Sequence, residues 1–524
     1  MIEKIIQRIH QEYRNIVSIA LPLYDIINYA EISEALVVVD DIAPQLMAKS
    51  MEIDNNIVNL IVVSKNVLIG DVYYDLLGGY LASKLTVLTK IVYDKGLWLR
   101  RVLEDYRYKI VLREVETLAS YGEIIEYALI PYEYFPVKNL SIYAKMNYNL
   151  AVMLVKAYNN LGENLLERMG KEYEPLVKNI AMRYRLKLVD KYIKLKPTSI
   201  SKTLFSRTSG FIKEIVIPLA HPLLDVIAGY RKSGREPIQL PSCFDSPHTL
   251  IEMELGKLAL GDWHKIVNML MGEHKRKIKR KGKNTHNITR IINIDTSIID
   301  TAELHEYDKG IVVIKQYMGL PGIKWLLASL VASISKKFSI LPGERLLNEY
   351  KAIIELNKYD MPTRHVLVVD PISYTMVFEF VEGESLANLL PEESSITLRA
   401  YKLMGELLAS IHRIGLTIGD TKPSNFVYNI KEDKIYPIDL EQAKKTDSIE
   451  ERAWDIAMFI YFHFHKPFDK VKQCLQEFLA SYRDIMGFKP IGEAVKTKYL
   501  LPFTSIAPIK QLVRLQNFIK ENIK

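Results

Sequence analysis

The sequence predicts an α+β protein of more than one domain, and three observations predict it. Its 524 residues exceed what one ordinary hydrophobic core can serve. Near the start, short runs rich in β-branched residues (35–39 and 59–63) give way to helical periodicity as far as about Leu195. Beyond about residue 289, strand and helix patterns mix again around a constellation of two carboxylates and an amide.

Taken in order, residues 1–13 carry an amphipathic helical pattern. The two apolar runs follow as buried strands, with a short helix expected at 42–49 between them. Asp71 is read as the N-cap of a helix over 71–90. Residues 191–205 suit a strand and turn closing a small winged-helix-like unit. Residues 218–247 hold five prolines and several glycines, which marks a boundary region. A helical stretch is expected over 248–271, and a strongly basic segment follows. The expected division is therefore an α/β plus helical domain (1–200), a Pro/Gly-rich and basic connecting region (201–288) and a third domain (289–524).

Composition narrows the class. The net charge is +8, and Lys275, Arg276, Lys277, Lys279, Arg280, Lys281 and Lys283 account for all but one unit of it. Basicity thus belongs to one segment, read first as a solvated linker and second as a phosphate-tracking RNA contact. No aromatic residue is interleaved with these charges, so base stacking is not expected. No apolar run approaches the roughly 18 to 20 residues of a membrane-spanning helix, and the first residues lack the pattern of a signal peptide. Only Cys243 and Cys474 are present, without metal-ligand spacing. A cytoplasmic location with no integral membrane segment is expected.

The chemistry concentrates between Ile411 and Ala443. Asp420, Asn425 and Asp439 are spaced D-x4-N-x13-D, beside short apolar strands. Two carboxylates and an amide so placed suit phosphoryl transfer from a Mg-nucleotide. One carboxylate orients the acceptor hydroxyl and takes its proton, while the Asn and the second carboxylate hold the metal. Upstream, Lys315 ends the apolar strand 310–315, and Glu349 sits mid-way along a helix with Leu346, Tyr350 and Ile353 facing inward. Glu344 and Glu355 are its rivals as a partner for Lys315. Residues 375–386 read as an apolar strand, a Glu-aromatic-Val step, a glycine and a helix start. Asp455, within an otherwise apolar helix, must be paired or hydrogen-bonded if buried.

These motifs resemble the catalytic and metal-binding loops of protein kinases. Asp455 follows Asp439 by 16 positions, which leaves no room for a long activation segment. In that, the region resembles the atypical archaeal Ser/Thr kinases, the RIO group and the kinase subunit of the KEOPS complex. The resemblance covers roughly residues 289–485 and implies a C-terminal bilobal protein-kinase-like fold. It further implies ATP and Mg2+ as cofactors and a protein Ser/Thr hydroxyl as acceptor. Asp420 would be the base and Lys422 would steady the γ-phosphoryl charge. Asn425 and Asp439 would hold Mg2+, and Lys315, set by Glu349, the α/β-phosphates. Backbone groups of Glu379 and Val381 would meet the adenine edge. Four features depart from that pattern: Ile418-Gly419, Leu440-Glu441, a first turn (295–300) without glycine, and an insertion from Gln316 to Pro342 whose centre is read as a packed helix. An RNA-directed kinase or tRNA-modification factor, and a pseudokinase scaffold, are the alternatives.

The first domain faintly resembles the minimal nucleotidyltransferases of archaea. Ser33-Glu34-Ala35-Leu36 stands where that family carries a D-x-D pair, and no Gly-Ser turn precedes it. Asp40 and Asp41 are adjacent, so on a strand they would face opposite ways. A degenerate copy, inactive in nucleotide transfer, is the reading this implies.

Overall fold

The two apolar runs near the start of the chain lie side by side as parallel strands. A computed structural model describes residues 2–22, 34–42, 45–53, 56–74, 76–77, 79–87, 89–146, 148–197, 238–278, 302–317, 339, 341–389, 394–505 and 507–523. The chain divides into two units, Met1–Met253 and Glu254–Lys524.

In the first unit, α1 (Ile2–Glu12) buries Ile5 and Ile9, one turn apart on one face. Five strands follow: β1 (Ile16–Pro22), β2 (Glu34–Val39), β3 (Leu46–Ile53), β4 (Asn56–Ser64) and β5 (Thr89–Asp94), in the order β3-β4-β2-β1-β5. Strands β2 and β4 run parallel from Glu34↔Asn59 to Val39↔Ser64, which accounts for their nearly continuous apolar runs. Ile5, Ile9, Ile19, Val37, Leu60 and Val62 share one core. The short helix expected at 42–49 is absent, since Leu46–Ile53 pairs along its whole length with β4. Cross-strand partners override local periodicity there.

Two helices, α2 (Lys65–Tyr74) and α3 (Tyr80–Val87), replace the single expected one. Asp71 lies inside α2 instead of starting it. Its buried carboxylate accepts the N–H groups of Leu77 (2.8 Å), Gly79 (2.9 Å) and Ala82 (3.0 Å), so it caps the start of α3 from the preceding helix. Longer helices follow, among them α4 (Trp98–Ala119), α5 (Tyr134–Met146), α6 (Tyr148–Leu161) and α7 (Glu163–Tyr184). Short strands β6 (Ala128–Pro131), β7 (Lys187–Val189), β8 (Tyr192–Lys194) and β9 (Glu252–Met253) complete the unit; β8 lies where a strand was expected, while the end of the proposed winged-helix-like turn lies outside the described residues.

Strands β2 and β4 of this unit carry no paired carboxylates. Glu34 forms an ion pair with the buried Lys84, and Asp40 pairs with Lys65 at 2.6 Å. Among the described residues no group of three or more acids, histidines and cysteines is placed to hold a metal ion. The nucleotidyltransferase resemblance therefore finds no support.

The second unit has an α+β fold, a mostly antiparallel sheet followed by a mostly helical part. Its sheet contains β10 (Lys257–Leu258), β11 (His274–Lys277), β12 (Ala302–Tyr307), β13 (Gly310–Gln316), β14 (Val366–Asp370) and β15 (Thr375–Glu379), in the order β11-β12-β13-β15-β14-β10. Neighbours are antiparallel, except that β10 runs parallel to β14. The helix expected over 248–271 is confined to α8 (Trp263–Met271), because pairing of Lys257 and Leu258 with Val368 and Val369 draws the earlier part into the sheet. α8 packs Trp263, Ile266 and Val267 against Val312, Ile314, Val368 and Val377.

The start of the basic segment is not a solvated linker. His274–Lys277 forms the outer strand, and its cations face acids: Lys275 lies 3.5 Å from Asp308, Arg276 2.6 Å from Glu306 and Lys277 2.5 Å from Glu303. Acids on β12 and in the turn after it supply the partners that sequence position could not reveal. The turn at 295–300 and the centre of the Gln316–Pro342 insertion lie outside the described residues.

Helix α9 (Pro342–Lys358) precedes β14. After β15 the unit becomes mostly helical, built on α10 (Ser395–Arg413), α11 (Ile449–Tyr461) and α12 (Phe468–Met486), with the hairpin β16 (Phe426–Asn429) and β17 (Lys434–Pro437) between α10 and α11. A side chain at Gly405 on α10 would run into the Ser481 hydroxyl and the Phe478 carbonyl of α12, so glycine there permits the close approach of these helices.

Candidate functional site

Strand β13 alternates, and its last buried positions put Lys315 on the sheet face that meets α9. Helix α9 buries Leu346, Glu349, Tyr350 and Ile353, which carries Glu349 to the same place. Lys315 Nζ donates to Glu349 Oε2 at 2.6 Å and to Asp439 Oδ1 at 2.8 Å. Glu441 Oε2 lies 3.7 Å from the same ammonium. Burial alone would pull the Lys315 ammonium down, but Asp439, Glu349 and Glu441 together hold its pKa above the ordinary lysine value. Of the rivals to Glu349, Glu355 faces outward to Lys445 at 2.8 Å.

Two further residues, unread in the sequence, fix Glu349. The Tyr317 hydroxyl donates to Oε2 at 2.6 Å, and Arg364 pairs with Oε1. Tyr317 is two positions beyond Lys315, so strand alternation could have pointed to it. Arg364 sits in an irregular loop, where no periodicity announces it. Its guanidinium lies 3.7 Å from the Phe378 ring centroid. Burial, with Glu349 next to it, keeps the Tyr317 phenol far above its ordinary pKa, so it remains a donor.

The second group stands on the loop between α10 and β16. Asp420 is 3% exposed, and its Oδ2 lies 3.2 Å from Lys422 Nζ. Burial lowers the Lys422 ammonium, but Asp420 and then Asp439 reverse this and leave its pKa above the ordinary value. Lys422 is thereby the electrostatic link between the two groups. Asn425 Nδ2 donates to the Asp420 carbonyl at 2.9 Å, which leaves Oδ1 as the only acceptor on that side chain.

This loop is held from behind by Asp455. Its Oδ2 accepts the Ile418 N–H (2.8 Å), and its Oδ1 the Gly419 N–H (2.7 Å). His412 Nε2 meets Oδ2 at 3.0 Å, and the Thr421 hydroxyl donates to the Asp455 carbonyl at 2.6 Å. The Trp454 indole donates to the Gly419 carbonyl at 2.8 Å. Gly419 has φ +83°, a conformation that glycine adopts without steric cost. The residues at the two departures from the kinase pattern here thus serve the loop: Ile418 is buried in the core, and Gly419 makes its turn.

At the end of β15, Glu379 and Val381 flank Phe380. The Glu379 N–H donates to the His365 carbonyl at 3.0 Å, so that N–H is already engaged. Phe378 is fully buried behind this edge. The structure therefore brings Lys315, Glu349 and Asp439 into direct contact, groups Asp420 with Lys422 and Asn425, and keeps Glu379 and Val381 on a separate strand end.

No family model matches the chain. Part of it is similar to the KEOPS complex subunit Bud32 of Pyrococcus abyssi, 27% identical over 150 residues, which cover 28% of this chain and 66% of that protein. Part of the chain is also 31% identical over 121 residues to a probable bifunctional tRNA threonylcarbamoyladenosine biosynthesis protein of Natronomonas pharaonis, covering 23% of this chain and 21% of that one. The corresponding protein of Thermoplasma acidophilum is 25% identical over 171 residues, 32% of this chain and 31% of its own length. The chain thus spans just under two thirds of the first relative and a third or less of the other two. Among solved structures, WaaP in complex with acyl carrier protein aligns at a TM-score of 0.27 with 12% identity, over 44% of this chain and 88% of that one, too slight a likeness to argue from.

Proposed function

We propose that the second unit is an ATP- and Mg2+-dependent phosphotransferase that delivers the γ-phosphoryl group to a hydroxyl, with a protein Ser or Thr as the first candidate acceptor. The observation that carries this reading is the Lys315 ammonium held between Glu349 and Asp439, beside the Asp420–Lys422 pair. The donor set fits the cofactor: a carboxylate on Asp439 and an amide oxygen on Asn425 are hard oxygen ligands of the kind Mg2+ takes. Bound there, the metal would neutralise charge developing on the transferring phosphoryl group.

The remaining steps belong to the chain's own residues. Lys315, oriented by Glu349, binds the α/β-phosphates. The buried Asp420 carboxylate orients the acceptor hydroxyl and receives its proton, and Lys422 meets the γ-phosphoryl oxygens. The Glu379 carbonyl and the Val381 backbone bind the adenine edge, with Phe378 behind it.

A second reading, participation in tRNA modification, is supported by the relatives named for tRNA threonylcarbamoyladenosine biosynthesis. One experiment addresses both. Mg-ATP binding is measured by calorimetry, and labelled ATP is then supplied with cell extract and the products separated into protein and RNA. Label in protein supports the first reading and label in RNA the second. A wild-type chain that binds no Mg-ATP overturns both in favour of a non-catalytic scaffold.

A further inference from the structure

Two consecutive residues shortly after Asp439, Glu441 and Gln442, are fastened to α9 and to Ser339 just before it. Arg345, one turn before Glu349 on the same face, donates through Nη2 to Glu441 Oε2 at 2.5 Å and through Nη1 to the Tyr317 carbonyl at 3.3 Å. Both side chains are buried, 2% and 4% exposed. Asn348 Nδ2 donates to the Glu441 backbone carbonyl at 3.3 Å and to the Ser339 hydroxyl at 3.0 Å. Gln442 pairs twice with the Ser339 backbone: its Oε1 accepts the N–H at 2.8 Å and its Nε2 donates to the carbonyl at 3.0 Å. Leu440, between Asp439 and Glu441, is buried in the core.

We propose that Arg345 and Glu441 are positioning residues that latch the Asp439 segment to the Glu349 helix, so that the nucleotide site is assembled before any nucleotide arrives. The proposal rests on the phosphotransferase reading. Two carboxylates that must meet the same ammonium, Glu349 and Asp439, come from elements 90 positions apart in the chain. Hydrogen bonds through Lys315 alone would leave both free to pivot about a flexible side chain. A buried guanidinium–carboxylate contact resists that pivot, because separating it leaves the buried Arg345 guanidinium without its carboxylate. Asn348 and Gln442 add neutral contacts on either side, so the latch grips backbone as well as side chain. A site assembled in advance avoids the loss of affinity that follows when the binding-competent state is only partly populated.

The test uses the full chain and three variants: Glu441→Ala, Glu441→Gln and the double variant Arg345→Met/Glu441→Ala. Three quantities are measured for each: melting temperature, amide hydrogen exchange without nucleotide in peptides covering 342–358 and 439–443, and Mg-ATP affinity by calorimetry. Replacing both members of a buried ion pair by apolar groups is often neutral for stability, so the double variant is expected to melt near wild type even if Glu441→Ala does not fold. Its exchange at 342–358 and 439–443 should nonetheless rise about tenfold, and its Mg-ATP Kd should rise by about the same factor, as the assembled state loses population. Exchange in 468–486 should not change. Glu441→Gln, which keeps an acceptor for Arg345, should fall between wild type and Glu441→Ala. A double variant with wild-type exchange and wild-type Kd overturns the latch and leaves the pair a matter of stability alone. If the wild type binds no Mg-ATP, the functional reading fails, and the exchange data still decide whether the latch exists.

Discussion

Asp420 and Asp439 are the same side chain in two different surroundings, and their variants should separate accordingly. Asp439 touches Lys315, while Asp420 faces Lys422 with an oxygen to which no hydrogen bond is directed. Asp420→Asn should lower turnover by about 10²-fold or more while Mg-ATP affinity changes little, because it acts on the acceptor hydroxyl in the transition state. Asp439→Asn should lower both, since charge near the phosphates is needed in ground and transition state alike. Calorimetry and label transfer, with melting as a check on folding, distinguish these outcomes. Active Asp420→Asn beside normal nucleotide binding by Asp439→Asn would refute the assignment. Asp420, Asn425 and Asp439 were picked out in the sequence by their spacing, and the structure sets Asp439 against Lys315 and Asn425 against the Asp420 backbone. Arg345 and Arg364 were not, because a guanidinium that reaches a carboxylate far along the chain leaves no local pattern.

At the scale of elements, α11 and the residues just past it each carry a buried polar anchor, with different predictions. Asp455→Ala leaves the Ile418 and Gly419 N–H groups and His412 without their acceptor. Each buried orphan costs about 1 to 3 kcal/mol, so a loss of roughly 3 kcal/mol or more is expected, read as a melting temperature several degrees lower. A melting curve within a degree of wild type would show that the loop does not depend on this contact. Just past α11, His463 is fully enclosed, its Nδ1 donating to the Phe459 carbonyl (2.8 Å) and its Nε2 accepting from the Tyr401 hydroxyl (2.7 Å). Burial pushes its pKa from 6.5 down to about 4. The unfolded chain therefore takes up a proton at higher pH than the native one, so stability present above pH 6.5 is lost as pH falls towards 4. Between pH 7 and 4.5 that loss is about 2 kcal/mol. His463→Phe should flatten the pH dependence of melting by that amount, and an unchanged slope would contradict it. Helix α9 matched the sequence pattern because it buries one regular face, and strands β13 and β15 because short apolar runs are buried in the sheet. Strand β3 escaped it because its pairing with β4, and not its own periodicity, makes it a strand.

Across the whole molecule, the distribution of charge matters more than its sum. Lys275, Arg276 and Lys277 face Asp308, Glu306 and Glu303, which offsets part of their charge, and Lys279, Arg280, Lys281 and Lys283 complete the basic run in the sequence. If RNA binds through this segment, neutralising the latter four should flatten the log–log salt slope by up to about 0.7 per lost contact on single strands. Neutralising the first three should change it less. Equal slopes for both variants and wild type would exclude the segment as an RNA contact. The break at Met253/Glu254 was obscured in the sequence because short strands and turns at the join, Glu252–Met253 and Lys257–Leu258, carry almost no periodic signal. The outer strand β11 has one more consequence, for solubility. A sheet edge offers unpaired backbone groups to any extended chain, and such edges seed self-association. Here all four residues of that edge are exposed, and three of them are cationic. An incoming copy of the same strand would have to bring like charges together, so the edge discourages its own stacking. Replacing Lys275 and Lys277 by Thr or Val should leave the fold intact and raise the chain's tendency to aggregate, an effect that light scattering would register.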